Sequence, residues 1–153
     1  MPLQAAFYKA TRPGIPGIYN RLVRAWEPGE YSHCELIFSD GLAASASFMD
    51  GGVRFKRIDF DPRHWDIIDL GWADEDYARQ WFADHEHAPY DVIGQVHFVI
   101  SPVRGSKRGY WCSEAMAAAL RLKDPWRYGP NLLHAVLSST SLNPASAGFL
   151  LPG

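Results

Sequence analysis

Apolar and polar positions alternate through much of the first half of this chain and recur every three to four residues through the second. Residues 3–9 read as a short strand closed by Arg12-Pro13-Gly14, and residues 17–26 carry Ile18, Leu22, Val23 and Trp26 at helical spacing before the stop at Pro28-Gly29. The run YSHCELIF at 31–38 is rich in strand formers. Asp40-Gly41 predicts a two-residue type I′ hairpin turn into a return strand at 42–48. Asp50-Gly51-Gly52 predicts a second turn, 53–58 a half-exposed strand of alternating apolar and basic residues, and 65–70 a further strand. Asp74 is placed to cap a helix with Tyr77, Ala78, Trp81 and Phe82 on one face, broken by Pro89. Asp91 caps a following helix with Val92, Ile93, Val96 and Phe98, ended by Ser101-Pro102. After the basic loop Ser106-Lys107-Arg108-Gly109 comes GYWCSEAMAAALRL, a helix, and Pro130-Asn131 opens another through Leu132, Leu133, Val136 and Leu137. Residues 138–153, rich in Ser, Ala, Pro and Gly, read as a poorly ordered tail. The pattern predicts an α+β fold in one domain spanning 1–153. About five or six antiparallel strands come early and most helices late.

Composition narrows the function classes. The 47% hydrophobic and 21% charged content is that of an ordinary globular chain, and 153 residues suffice for one sizeable core. A net charge of −2 gives no electrostatic footprint for nucleic acid or an anionic membrane, so neither is expected as a partner. No apolar window approaches the roughly eighteen residues of a spanning helix, so stable membrane insertion is not expected. The first residues lack a basic stretch followed by an apolar one, which makes the cytoplasm the default location, with both cysteines reduced. His85 and His87 would lie about 200° apart on a helix, too far round to share a ligand. With no metal-binding spacing elsewhere, no metal or organic cofactor is expected.

Candidate chemistry centres on Cys112. It shares a helical face with Ala115, Met116, Ala119 and Leu120, expected to lie on the sheet, and it occupies the first turn. Unpaired amides and the positive end of the helix dipole there favour a thiolate, and the same amides suit an oxyanion. A thiolate nucleophile needs a base. Of six histidines, only His33 begins a strand of the expected core sheet. Strand alternation puts Cys34 on the opposite face from His33, where it reads as a structural thiol.

Three motifs in order, YSHCELIF, APYDVIGQ and YWCSEAMAAAL, resemble the circularly permuted branch of the papain-like, NlpC-type cysteine hydrolases, in which the histidine strand precedes the cysteine helix. The resemblance spans roughly residues 33–122. It implies a papain-like fold in permuted order, with a Cys112 nucleophile, a His33 base and a polar residue on the next strand orienting the imidazole. A two-residue turn at Asp40-Gly41 would set His33 opposite Phe48 and make Asp50 the next residue on that face. Asp50 is then the leading third residue, with Ser47 or Ser45 as alternatives if a bulge shifts the register. Tyr90, Tyr110 and Trp111 are candidate walls of a substrate cleft, with packed core aromatics as the competing reading. The implied activity is cleavage of an amide bond, with cell-wall peptides of bacterial or phage context as one substrate class. The enzyme alternative is an acyltransferase, thioesterase or lipid-ester hydrolase acting on an acyl substrate, and the other is a non-catalytic binding module.

Overall fold

A computed structural model describes residues 1–9, 29–91 and 109–142. The expected helices at 17–26 and 91–100, the basic residues Arg104, Lys107 and Arg108, and the chain beyond residue 142 lie outside the described residues.

Five strands form one antiparallel sheet: β1 (Gln4–Tyr8), β2 (His33–Ile37), β3 (Ala43–Ser47), β4 (Gly52–Lys56) and β5 (Trp65–Asp69), in the order β4-β3-β2-β1-β5. Among the described residues three α-helices follow: α1 (Glu75–Asp84), α2 (Cys112–Ala119) and α3 (Pro130–Leu142). The fold is therefore α+β, and each strand read from the sequence is present with its ends moved by one or two residues. Asp74 caps α1 as expected, its carboxylate accepting from the Tyr77 amide at 3.0 Å. Residues 138–142 are not tail but the last turns of α3, because Leu133, Leu137 and Thr140 bury one continuous helical face.

Alternation along β2 divides the molecule into two faces. Cys34, Leu36 and Phe38 join Phe7, Ala44, Ala46 and Val53 in the main core, where α2 supplies Ala115, Met116 and Ala119. The other face carries a smaller cluster of Ala6, Tyr8, Ile37 and Trp65, and from β2 it also takes His33 and Glu35. α2 packs on β2 and β3, and α1 and α3 flank it. The alanines matter here: with only a Cβ at positions 115, 117 and 119, all 1% exposed or less, the helix axis comes close to the sheet.

Candidate functional site

Cys112 begins α2, preceded by the extended N-cap Trp111, which offers no side-chain cap to the first-turn amides. The positive end of the helix thus lies at the sulfur. Cys112 is 1% exposed and has Cys34 and His33 as its polar neighbours. These contacts hold its thiol well below the ordinary cysteine value. The Cys34 hydrogen bond contributes most, and the His33 hydrogen bond and charge add to it against the opposing effect of burial.

His33 stands at the start of β2, where the strand end lets its ring reach the helix mouth. Its Nε2 lies 2.7 Å from Glu35 Oε1. Burial by itself would lower the imidazole pKa. The Glu35 charge and the Cys112 contact outweigh it and push the value up to about 9. Glu35 is 1% exposed and is held ionised: burial pushes its carboxyl up, but the Arg54 hydrogen bonds and the His33 charge prevail and lower it. Arg54 reaches both Glu35 oxygens, at 2.7 and 2.6 Å, and also donates to Asp50 at 2.8 Å. Asp50 in turn accepts from Lys56 at 2.9 Å. A buried carboxylate needs such company, since removing one member of a buried pair typically costs about 3–5 kcal/mol. The result is a chain of contacts from the Cys112 thiol to the His33 imidazole, the Glu35 carboxylate and the Arg54 guanidinium. A thiol held well below its ordinary value beside an imidazole raised to about 9 is suited to attack on a carbonyl and to protonation of a leaving group.

The structure brings Cys112 and His33 together and departs from the expected site at Asp50, Tyr110 and Trp111. Asp50 is not the residue that orients the imidazole: it acts two steps away, gripping Arg54, and shapes its turn through the Asp50 amide on Ser47 Oγ. The orienting group is Glu35, two residues along the same strand. The expected hairpin register is off by one, because Leu36 pairs with Ala44 and Ile37 with Ala43. That shift puts Ser45 and Ser47 on the His33 face, but Ser45 donates to the Cys34 carbonyl at 2.7 Å rather than to the imidazole. Cys34 is not a bystander either, since the face opposite His33 is the one on which α2 packs. Trp111 is 2% exposed, so it is core rather than cleft wall. Tyr110 packs edge-on to Trp81 and His85. Tyr90 does line a cavity, together with Phe48, whose ring it meets edge-on at 5.9 Å. Glu35 was available to sequence reasoning: the His-x-Glu spacing on a strand places both side chains on one face.

That cavity, about 240 Å³, lies on the His33 face of the sheet. His33, Glu35 and Arg54 form its inner wall and Phe48 and Met49 its apolar lip; the Cys112 sulfur is not on its wall. Among the described residues no group of His, Cys, Asp or Glu side chains is arranged to hold a metal ion, and no helix is long and apolar enough to cross a membrane. Compared with family models, curated proteins and solved structures, the chain matches none.

Proposed function

We propose that this chain is a cysteine hydrolase of the permuted papain-like, NlpC type that cleaves an amide bond. The observation that carries the reading is the contact between the Cys112 sulfur at the start of α2 and a His33 ring backed by Glu35. The order of elements, with the histidine strand ahead of the cysteine helix and the helix packed on an antiparallel sheet, supports the permuted fold. In this reading Cys112 attacks the carbonyl carbon and the first-turn amides of α2 receive the oxyanion. His33 gives its proton to the leaving amine, and the thioester is then hydrolysed by a water that His33 deprotonates. Glu35 keeps the imidazole oriented and charged, and Arg54 keeps Glu35 ionised. The resemblance in sequence points to cell-wall peptides as substrate, whether of bacterial or phage context.

The test is release of new amino groups from a digest of bacterial cell-wall peptides, with p-nitrophenyl acetate as a generic acyl donor. The expected result is a burst of p-nitrophenolate and peptide cleavage, both lost in Cys112→Ala and both reduced on the order of 10²-fold or more in His33→Ala. A second reading, a non-catalytic binding module, is favoured by the enclosure of Cys112 and by a cavity that does not reach its sulfur. It predicts no burst, and no cleavage under conditions where the protein binds the same peptides.

A further inference from the structure

His33 stands in the wall of a cavity of about 240 Å³. That is more than the roughly 150 Å³ that holds a benzene ring and less than the roughly 300 Å³ at which drug-sized sites begin. It suits one amino-acid residue, and three features of the wall describe which. The first is apolar. Phe48 and Met49 are neighbours on the lip, 48% and 59% exposed, and Tyr90 meets the Phe48 ring edge-on at 5.9 Å. Large apolar side chains that face water at the edge of a cavity mark a binding surface. The second is a hydroxyl. Ser32 lines the cavity beside His33, is 2% exposed, and its Oγ has no hydrogen-bond partner among the described residues. Its place follows from a slip in the strand. Tyr31 and Cys34 both belong to the main core, although strict alternation would set residues three apart on opposite faces. Ser32 and His33 therefore line the cavity together. A buried hydroxyl left unpaired is costly, and a ligand that pairs with it removes the cost. The third is charge. The wall carries Arg54, Lys56 and Arg57 against Glu35 and Asp50. Each carboxylate is already gripped by two partners, Glu35 by Arg54 and His33 and Asp50 by Arg54 and Lys56. Arg57 turns to the Asp40 carbonyl at 3.1 Å. Lys56 gives Asp50 one of its three donors, at 2.9 Å, and its side chain is 52% exposed. The surplus is in cationic donors, so the complement is an anion.

We propose that this cavity holds the leaving half of the substrate, and that it takes an apolar residue with a free carboxylate, the carboxyl end of a peptide. The side chain lies against Phe48, Met49 and Tyr90, the carboxylate meets Lys56, and the Ser32 hydroxyl accepts from the N–H of the amide to be cut. The assignment to the leaving half rests on the hydrolase reading and on which reacting residue lines the cavity: His33 does, and the Cys112 sulfur does not. As the C–S bond forms and the C–N bond breaks, the departing amine takes the His33 proton. The amine side of the substrate therefore belongs beside His33 and the acyl side beside the sulfur, which is the division that a cavity stopping short of the sulfur provides.

The experiment is an NMR titration of Cys112→Ala, in which binding is read without turnover, with N-acetyl-L-phenylalanine, N-acetyl-L-phenylalaninamide and N-acetylglycine. The first is expected to bind roughly fivefold or more tighter than its amide, and about tenfold or more tighter than N-acetylglycine, and to shift the resonances of Ser32, His33 and Phe48. Lys56→Gln should erase the difference between acid and amide. Phe48→Ala should bring N-acetyl-L-phenylalanine down to the level of N-acetylglycine, and both of these side chains are about half exposed, so the fold tolerates the changes. Ser32→Ala should weaken acid and amide alike. Equal affinity for acid and amide, an acid preference that survives Lys56→Gln, or shifts confined to residues away from the cavity overturns the proposal. In the wild type, kcat/KM for benzoyl-glycyl-phenylalanine should exceed that for its amide by the same ratio. Cleavage of neither, with the order of binding intact, removes instead the hydrolase reading and with it the leaving-half assignment, while the carboxylate pocket stands.

Discussion

His33 sits between two opposing demands, and its titration shows which one wins. Enclosure favours the neutral ring, but Glu35 and Cys112 favour the charged one, and its pKa rises from 6.5 to about 9. A base whose folded-state pKa is raised contributes stability that is complete below the unfolded value and is lost as the pH climbs through the folded one. Cys112 runs the other way: its thiol is depressed, so its contribution is present above the unfolded value near 9 and is lost as the pH falls through the lowered folded value. The gap in melting temperature between wild type and His33→Ala should therefore be widest below about pH 6.5 and should shrink across the interval up to about 9. Melting curves at about pH 6 and about pH 10 check this, and a gap that is constant or wider at the alkaline end contradicts it. At this scale the sequence was readable for Cys112 at a helix start and His33 at a strand start, because residue types and element starts are local properties. The imidazole's partner was not legible across the hairpin, because the place of Asp50 depends on the turn's register, whereas that of Glu35 follows from alternation along a single strand.

Among the elements, the β2–β3 hairpin and α2 decide the geometry. Asp40-Gly41 suggested a two-residue turn, but the loop closes differently. The Phe38 amide bonds to the Leu42 carbonyl, the Gly41 amide to the Phe38 carbonyl, and the Asp40 side chain accepts from the Leu42 amide. Gly41 takes the left-handed conformation, φ 77°, of the last residue of a three-residue loop. One extra residue in the loop turns every β3 side chain to the other face. Strand existence was legible from composition; register was not, since it depends on which of two turns with the same residues forms. The helix is the more sensitive part. Ala115 is 0% exposed against the sheet, so Ala115→Leu should lift the start of α2, costing about 1–3 kcal/mol in stability. It should also slow Cys112 alkylation at neutral pH by at least tenfold, out of proportion to the stability loss, on the order expected when reacting groups are misaligned by about 1 Å. Thermal melting and alkylation rates on the same sample give both numbers. Unchanged reactivity in a variant that melts lower contradicts the claim that close helix–sheet approach sets the site.

For the molecule as a whole, the sheet and the helices divide the labour. The core face of β2, Cys34 and Leu36, with Phe38 just past its end, packs toward α2, while the opposite face buries the Glu35–Arg54 pair that holds the imidazole. The division into early strands and late helices was legible in the sequence, because periods of two and of three to four residues are local signals. The meeting of two segments far apart in the chain was not, and it entered only through a resemblance of motifs. The central claim is that this meeting creates a thiolate–imidazolium pair. Two-bond proton–nitrogen NMR of the His33 ring across a pH titration, in wild type and in Cys112→Ala, tests it most directly. The wild-type ring is predicted to titrate at about 9, and to titrate at a lower pH once the sulfur is gone. A His33 that titrates near 6.5 whichever residue stands at position 112 would contradict the pair and the hydrolase built on it.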